Sequence, residues 1–229
     1  MATLKLLLLL LLFSLYSCAQ NTAKHVVNPQ AALLEKQVIP LFAYSDNPDS
    51  CKKALLLLDS ATTVDSDFFM AYANKLNFLG GFSNKLFFLG NANQTNKAIN
   101  AIDEIIRLQP NQIWFTLRGN IYEKTGDTIS AKKDFQKSLS ICNQVLDTMS
   151  KNNQDYFMFV TNKAVNLIML NDSADANKIL EALYENYTGN SDWDKVDKEY
   201  ILSLINKNKQ QLMQPPPAKD SETDIYLNQ

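Results

Sequence analysis

Six positions recur along the chain at one fixed offset, and this duplication constrains the fold more tightly than any other feature. Phe115, Gly119 and Tyr122 return 45 residues later as Val160, Ala164 and Leu167. Ala131, Phe135 and Ser138 return at the same offset as Ala176, Leu180 and Leu183. Each triplet has the four-then-three spacing that puts its members on one face of a helix. Between the triplets, Gly126-Asp127 and Asn171-Asp172-Ser173 read as turns, and the latter offers side-chain oxygens to cap a following helix. The repeated unit is therefore a pair of helices, complete once within Asn111 to Asn143. Such a pair packs closely only where a small residue faces a bulky one, so Gly119 and Ala131 are predicted to make room for Tyr122 and Phe135.

The same spacing extends toward the N-terminus. Ala54, Leu58 and Ala61, then Ala98, Ile102 and Ile105, match the second triplet. Tyr72, Leu76 and Leu79 match the first, with Leu76 in the small-residue position and looser packing predicted there. Ala31 to Tyr44 carries Leu34, Val38, Leu41 and Phe42, and Pro40 should bend or end that helix. Asp46-Asn47-Pro48-Asp49 and Asp65-Ser66-Asp67 read as turns, and Pro110 as a helix stop. After Ser138 the apolar stripe runs on through Ile141, Cys142, Val145, Leu146 and Met149, which predicts a long second helix. Past Gly189-Asn190, Trp193 to Gln214 has Val196, Tyr200, Leu204 and Ile205 on one side.

The alternation of small and large groups in Asn111 to Asn143 closely resembles a tetratricopeptide repeat. That resemblance implies an all-α protein: a right-handed α-solenoid of about four such helix pairs over residues 30–212, closed by a C-terminal capping helix. It also implies that the first helices of successive pairs line a concave face where peptides or helices bind. Asn74 and Asn77, Asn120 and Glu123, and Asn162 and Val165 fall on the exposed side of those helices. An asparagine side chain donates and accepts at once, which suits gripping an extended backbone; the other reading is a solvated polar groove. The repeated cations that clamp a terminal carboxylate in some members are missing. Leu79 to Ala98 spans 19 residues where Tyr122 to Ala131 spans 9, so about ten extra residues lie between that pair of helices. They include Phe82, Leu86, Phe87, Phe88 and Leu89. This insertion either packs on its neighbours or forms an apolar lip for a partner.

At the N-terminus, Lys5 precedes the run Leu6 to Leu12, continued by Phe13 and Leu15, too short to span a bilayer and readable as a signal peptide over residues 1–17. Leu15, Tyr16, Ser17 and Cys18 resemble a bacterial lipobox, with Tyr16 bulkier than is usual at its position. The resemblance implies lipidation of Cys18; ordinary secretion with cleavage before Gln20 is the alternative. Since no aspartate follows Cys18, the lipoprotein pattern implies an outer-membrane protein facing the periplasm. Residues 18–29 read as a polar tether in which the single histidine, His25, is solvated. Residues 213–229, with Pro215-Pro216-Pro217, read as a polar tail, either disordered or a docking peptide.

A charged fraction of 20% and a net charge of -2 leave no footprint for nucleic acid. One tether histidine cannot serve a catalytic triad or a zinc site, and no glycine-rich phosphate loop follows a strand. Neither a catalytic residue, a metal nor a cofactor is expected. Cys51 and Cys142 are expected as free thiols. The chain thus reads as a non-catalytic protein-protein interaction scaffold, lipid-anchored in a bacterial envelope, that takes a partner protein or peptide through the groove or the insertion. The alternative is an accessory or assembly factor for an envelope complex or enzyme.

Overall fold

Helix starts follow from the turn residues. Asn28, Asn47, Asn111, Asp127, Asp172, Ser191 and Asn208 each accept a backbone N–H from the first turn of the helix they precede, satisfying donors that have no partner within the helix. The computed structural model describes residues 25–45, 47–80, 92–187 and 191–214. The leader, Cys18, the Phe82 to Leu89 insertion, the Gly189-Asn190 turn and the tail from Pro215 lie outside the described residues. Those residues hold ten α-helices and one 3-10 helix, with no strand among them, and fall into two compact units, Met1–Gln109 and Pro110–Gln229. The boundary coincides with Pro110, which stops one helix and precedes the Asn111 cap of the next.

In the first unit, α1 (Pro29–Lys36), a 3-10 turn (Ile39–Tyr44), α2 (Pro48–Val64), α3 (Phe69–Phe78) and α4 (Ala92–Leu108) pack each helix on the next. The helix expected over Ala31 to Tyr44 is broken: α1 ends at Lys36, and Pro40, lacking an amide proton, sits in the first turn of the tighter 3-10 segment. Ala54, Leu58 and Ala61, like Ala98, Ile102 and Ile105, have no exposed surface. Leu76 is also fully buried, so the leucine in the small-residue position leaves no opening to solvent. Phe42 and Phe78 rings meet at 4.6 Å within this core.

His25, read as a solvated tether residue, is tied to the fold instead. Its Nε2 lies 3.0 Å from each carboxylate oxygen of Asp65, and the Asn28 amide donates to Asp65 Oδ2 at 2.8 Å. Asp65 ends α2 with its side chain 7% exposed and also accepts from the Asp67 amide. Burial by itself would raise the Asp65 carboxyl, but the Asn28 amide, His25 and the Asp67 amide together hold it below the usual carboxylate range.

The second unit comprises α5 (Gln112–Thr125), α6 (Thr128–Leu146), α7 (Tyr156–Met169), α8 (Ser173–Asn186), α9 (Asp192–Leu204) and the short α10 (Lys209–Met213). Successive helices from α5 to α9 pack on one another; α5 also meets α7, and α10 returns onto α7. The helix after Asp127 is long, as its stripe requires. Gly126, at φ +87°, takes the left-handed conformation that ends α5 and lets the chain reverse. Gly119 fills the notch: a Cβ there would lie 2.8 Å from Phe135 Cε1 and 3.0 Å from Cδ1.

One sequence expectation fails at the end of this unit. The helix predicted over Trp193 to Gln214 is two helices, and Ile201 and Leu204 form its buried face, while Val196 and Tyr200 stay partly exposed. The break is at Asn206, whose φ of +62° is left-handed. Asn206 donates its amide to Asn177 Oδ1 at 2.9 Å, and the two side chains meet at 3.2 Å, so α8 supplies the partner that helix continuation would have given.

Candidate partner-binding face

The α5–α6 pair is locked by a charged clasp that spacing did not reveal. Arg118 Nε and Nη2 donate to the two oxygens of Asp134 at 2.8 Å each. The guanidinium carbon lies 5.7 Å from the Phe115 ring centre and 5.9 Å from that of Tyr122. A planar, forked cation is the group that can pair with a carboxylate in two places and still lie beside aromatic rings.

A buried polar network joins α5, α6 and α7. Thr116 Oγ1 and Ser138 Oγ are 2.8 Å apart, and Ser138 donates to the Gln112 carbonyl at 2.8 Å. Asn166, with no exposed surface, directs its amide to Thr116 Oγ1, Ser138 Oγ and the Asn162 carbonyl at 3.0, 2.9 and 2.7 Å. Asn162 Oδ1 accepts from the Asn166 amide at 3.0 Å and lies 3.0 Å from Ser138 Oγ, with the Cys142 thiol 3.5 Å away. Buried polar groups left without partners are costly, so this network fixes the register of three helices. Burial pushes the Cys142 thiol up to about 12, which makes it inert. Among the described residues, neither Cys51 nor Cys142 forms a disulfide.

The asparagines assigned from sequence to one exposed row have different surroundings. Asn74 is buried and donates to Glu35 Oε1 at 2.7 Å; burial raises the Glu35 carboxyl, and the Asn74 hydrogen bond partly offsets it. Asn162 is drawn into the network above, because its neighbour one turn on, Asn166, needs an acceptor there. Asn77 and Asn120 are half-buried. Phe82, Phe87, Phe88 and Cys18 lie outside the described residues.

Glu123 and Val165 come together on one face of the second unit, and α10 rests on it. Lys209 Nζ is 2.7 Å from Glu123 Oε1, with the carboxylate side chain 14% exposed. Leu212 and Met213 pack on a cluster of Ala131, Phe135 and Met169, together with Tyr122, Val165 and Leu170. The face therefore combines one nearly buried carboxylate with an apolar floor whose rim comes from α5 and α7 and whose base is Ala131 and Phe135 of α6. Spacing placed Glu123 and Val165 on the exposed side of their helices; α10 covers them instead, and a five-residue helix carries no period from which that could be read.

Among the described residues, no group of His, Cys, Asp and Glu is placed to hold a metal ion, and no helix is long and apolar enough to cross a membrane. No curated relative matches the chain. Residues 115–144, covering nearly all of the α5–α6 pair with its Gly119 notch, match the tetratricopeptide repeat family, so this helix pair is a tetratricopeptide repeat, a kind of repeat that commonly binds protein partners.

Proposed function

We propose that the chain is a non-catalytic scaffold, lipid-anchored through Cys18 in a bacterial cell envelope and facing the periplasm from the outer membrane, that binds a partner protein. The observation that carries the binding part is the face of α5 and α7, which already accommodates a short helix through one ion pair and an apolar floor. Helix-in-groove recognition uses these same components, an apolar strip for anchoring and a charge for orientation. The Phe82 to Leu89 insertion is a second candidate surface on composition alone. The anchoring part is supported by the leucine run and the Leu15-Tyr16-Ser17-Cys18 sequence.

The test is crosslinking in the native host followed by purification under denaturing conditions. A scaffold enriches a defined partner over an untagged control. Replacing Phe87 and Phe88 together by serine reduces that capture if the insertion is the grip, and Glu123→Lys reduces it if the α5–α7 face is. A chain that enriches no partner in any growth condition is not a scaffold of this kind.

A further inference from the structure

We propose, resting on the partner-binding reading of the α5–α7 face, that α10 is a resident stand-in for the partner. The segment that replaces it is a short helix presenting a lysine or arginine followed three and four residues later by aliphatic or thioether side chains. A five-residue helix does not persist alone in water, so α10 exists because it is docked and because Asn208 and Gln211 cap each other at its start. Its docking groups have one spacing: Lys209, Leu212 and Met213 stand at i, i+3 and i+4, the positions that share a side of a helix.

The chain before α10 is arranged so that the segment can leave. Asn206 breaks the backbone in the left-handed conformation, and its reciprocal amide pair with Asn177 holds the break to α8. Lifting α10 therefore requires rotation after Asn206 and withdraws Leu212 from the edge of the cluster that holds Ile201 and Leu204, whose other contacts, with α7 and α8, do not involve α10. What remains exposed on departure dictates what can return. Departure would uncover the Glu123 carboxylate, leaving it with no lysine opposite on a face that carries the apolar Val165 and Met169 and the ring of Tyr122. A site of that composition favours a cation held next to apolar side chains and disfavours an acidic segment. Met169 on the floor and Met213 on the ligand adapt their shapes readily, which tolerates variation in the two apolar positions.

The experiment uses the full chain and a fluorescein-labelled peptide of residues 206–214, read by fluorescence anisotropy. In Leu212→Ser/Met213→Ser the resident segment loses its anchors, and in Lys209→Glu it loses its cation without disturbing any apolar contact. Both are expected to bind the peptide about tenfold tighter than the unmodified chain, as for a face occupied in cis about nine-tenths of the time. Adding Glu123→Lys to Leu212→Ser/Met213→Ser abolishes that gain, and a peptide carrying glutamate in place of its Lys209 restores it. Adding it to Lys209→Glu rebuilds the cis pair with its charges exchanged, so the gain is lost to both peptides. Far-ultraviolet circular dichroism confirms that each variant is folded, and the Lys209→Glu chain serves if the double serine variant is not. Equal peptide affinity in the unmodified chain and in folded Lys209→Glu overturns the proposal, as does binding indifferent to Glu123→Lys. Crosslinking that still captures a partner alongside such a result leaves the scaffold reading standing with its grip elsewhere; loss of crosslinking with peptide binding intact does the reverse.

Discussion

At Gly119 two opposing effects meet in one hydrogen atom. Alanine would stabilise the interior of α5 by about 1 kcal/mol through helix propensity. Its methyl group, however, would stand 2.8 Å from the edge of the Phe135 ring, which is 1% exposed and has nowhere to turn. Overpacking of this kind costs about 1–3 kcal/mol, so the clash should win. Gly119→Ala is expected to lower the thermal unfolding midpoint. Phe135→Leu should cost less in the Gly119→Ala chain than in the unmodified one, the signature of direct coupling. A raised midpoint in Gly119→Ala would show that the ring yields freely and that the notch is not needed. Thiol chemistry gives a second expectation at this scale. Cys51, half-buried with its thiol on the Ser45 carbonyl at 2.9 Å, should react with a maleimide in the folded protein. Cys142, with its pKa pushed up to about 12 by burial, should react only when denaturant is added, at pH 7 and equally at pH 9.

Among the helices, sequence spacing located what packs by size and missed what packs by hydrogen bonding. Ala54, Ala98, Ala131 and Ala176 were legible because a buried small residue four before a buried large one is a period, and all four have no exposed surface. Thr116 and Asn166 were not, because a buried polar residue leaves the same trace in a sequence as a solvated one. The only hint was Ser138, a hydroxyl standing where the pattern asks for a small apolar group. The α9–α10 break was missed for a related reason: its cause is a side chain on α8, 29 residues away in sequence. The network makes its own prediction. Asn166→Leu keeps the branching and heavy-atom count of the side chain, with bulkier ends, but removes the amide shared by Thr116, Ser138 and Asn162, leaving buried oxygens short of donors. The expected cost is about 1–3 kcal/mol of stability, measured by urea unfolding; an unchanged midpoint would mean that the hydroxyls satisfy one another. The strap from His25 to Asp65 predicts acid sensitivity in the first unit. Asp65 is held below its unfolded value of about 3.9, so its contribution is complete above that value and disappears as pH falls through the lower folded value. The difference in unfolding midpoint between the unmodified chain and Asp65→Asn should be constant at neutral pH and shrink below about pH 4. A gap that persists to pH 2 would show that Asp65 acts by shape alone.

For the whole molecule, the proposed lipid anchor and an electrostatic attachment predict different behaviour at the membrane. Removal of residues 1–17 takes Lys5 and no acidic residue with it, so the mature chain is more acidic than its precursor, whose net charge is already -2. A protein of that charge gains nothing from the anionic lipid surface that draws polybasic segments. No described helix is long and apolar enough to span a bilayer. In the proposed scaffold, retention rests on acyl chains at Cys18, each buried methylene contributing about 0.8 kcal/mol, with one chain marginal and two or more holding firmly. Cys18→Ala in the native host is therefore expected to move the protein from the membrane pellet to the soluble fraction, or to leave it as uncleaved precursor. In the unmodified strain, washing with high salt should release none of it, and detergent should release all. Release of the unmodified protein by salt would replace the lipid with an electrostatic attachment that this composition does not explain. Because the α5–α7 face is formed wholly within residues 110–229, soluble Cys18→Ala protein that has been cleaved should bind the 206–214 peptide with the same affinity as the anchored form, which separates where the scaffold sits from what it holds.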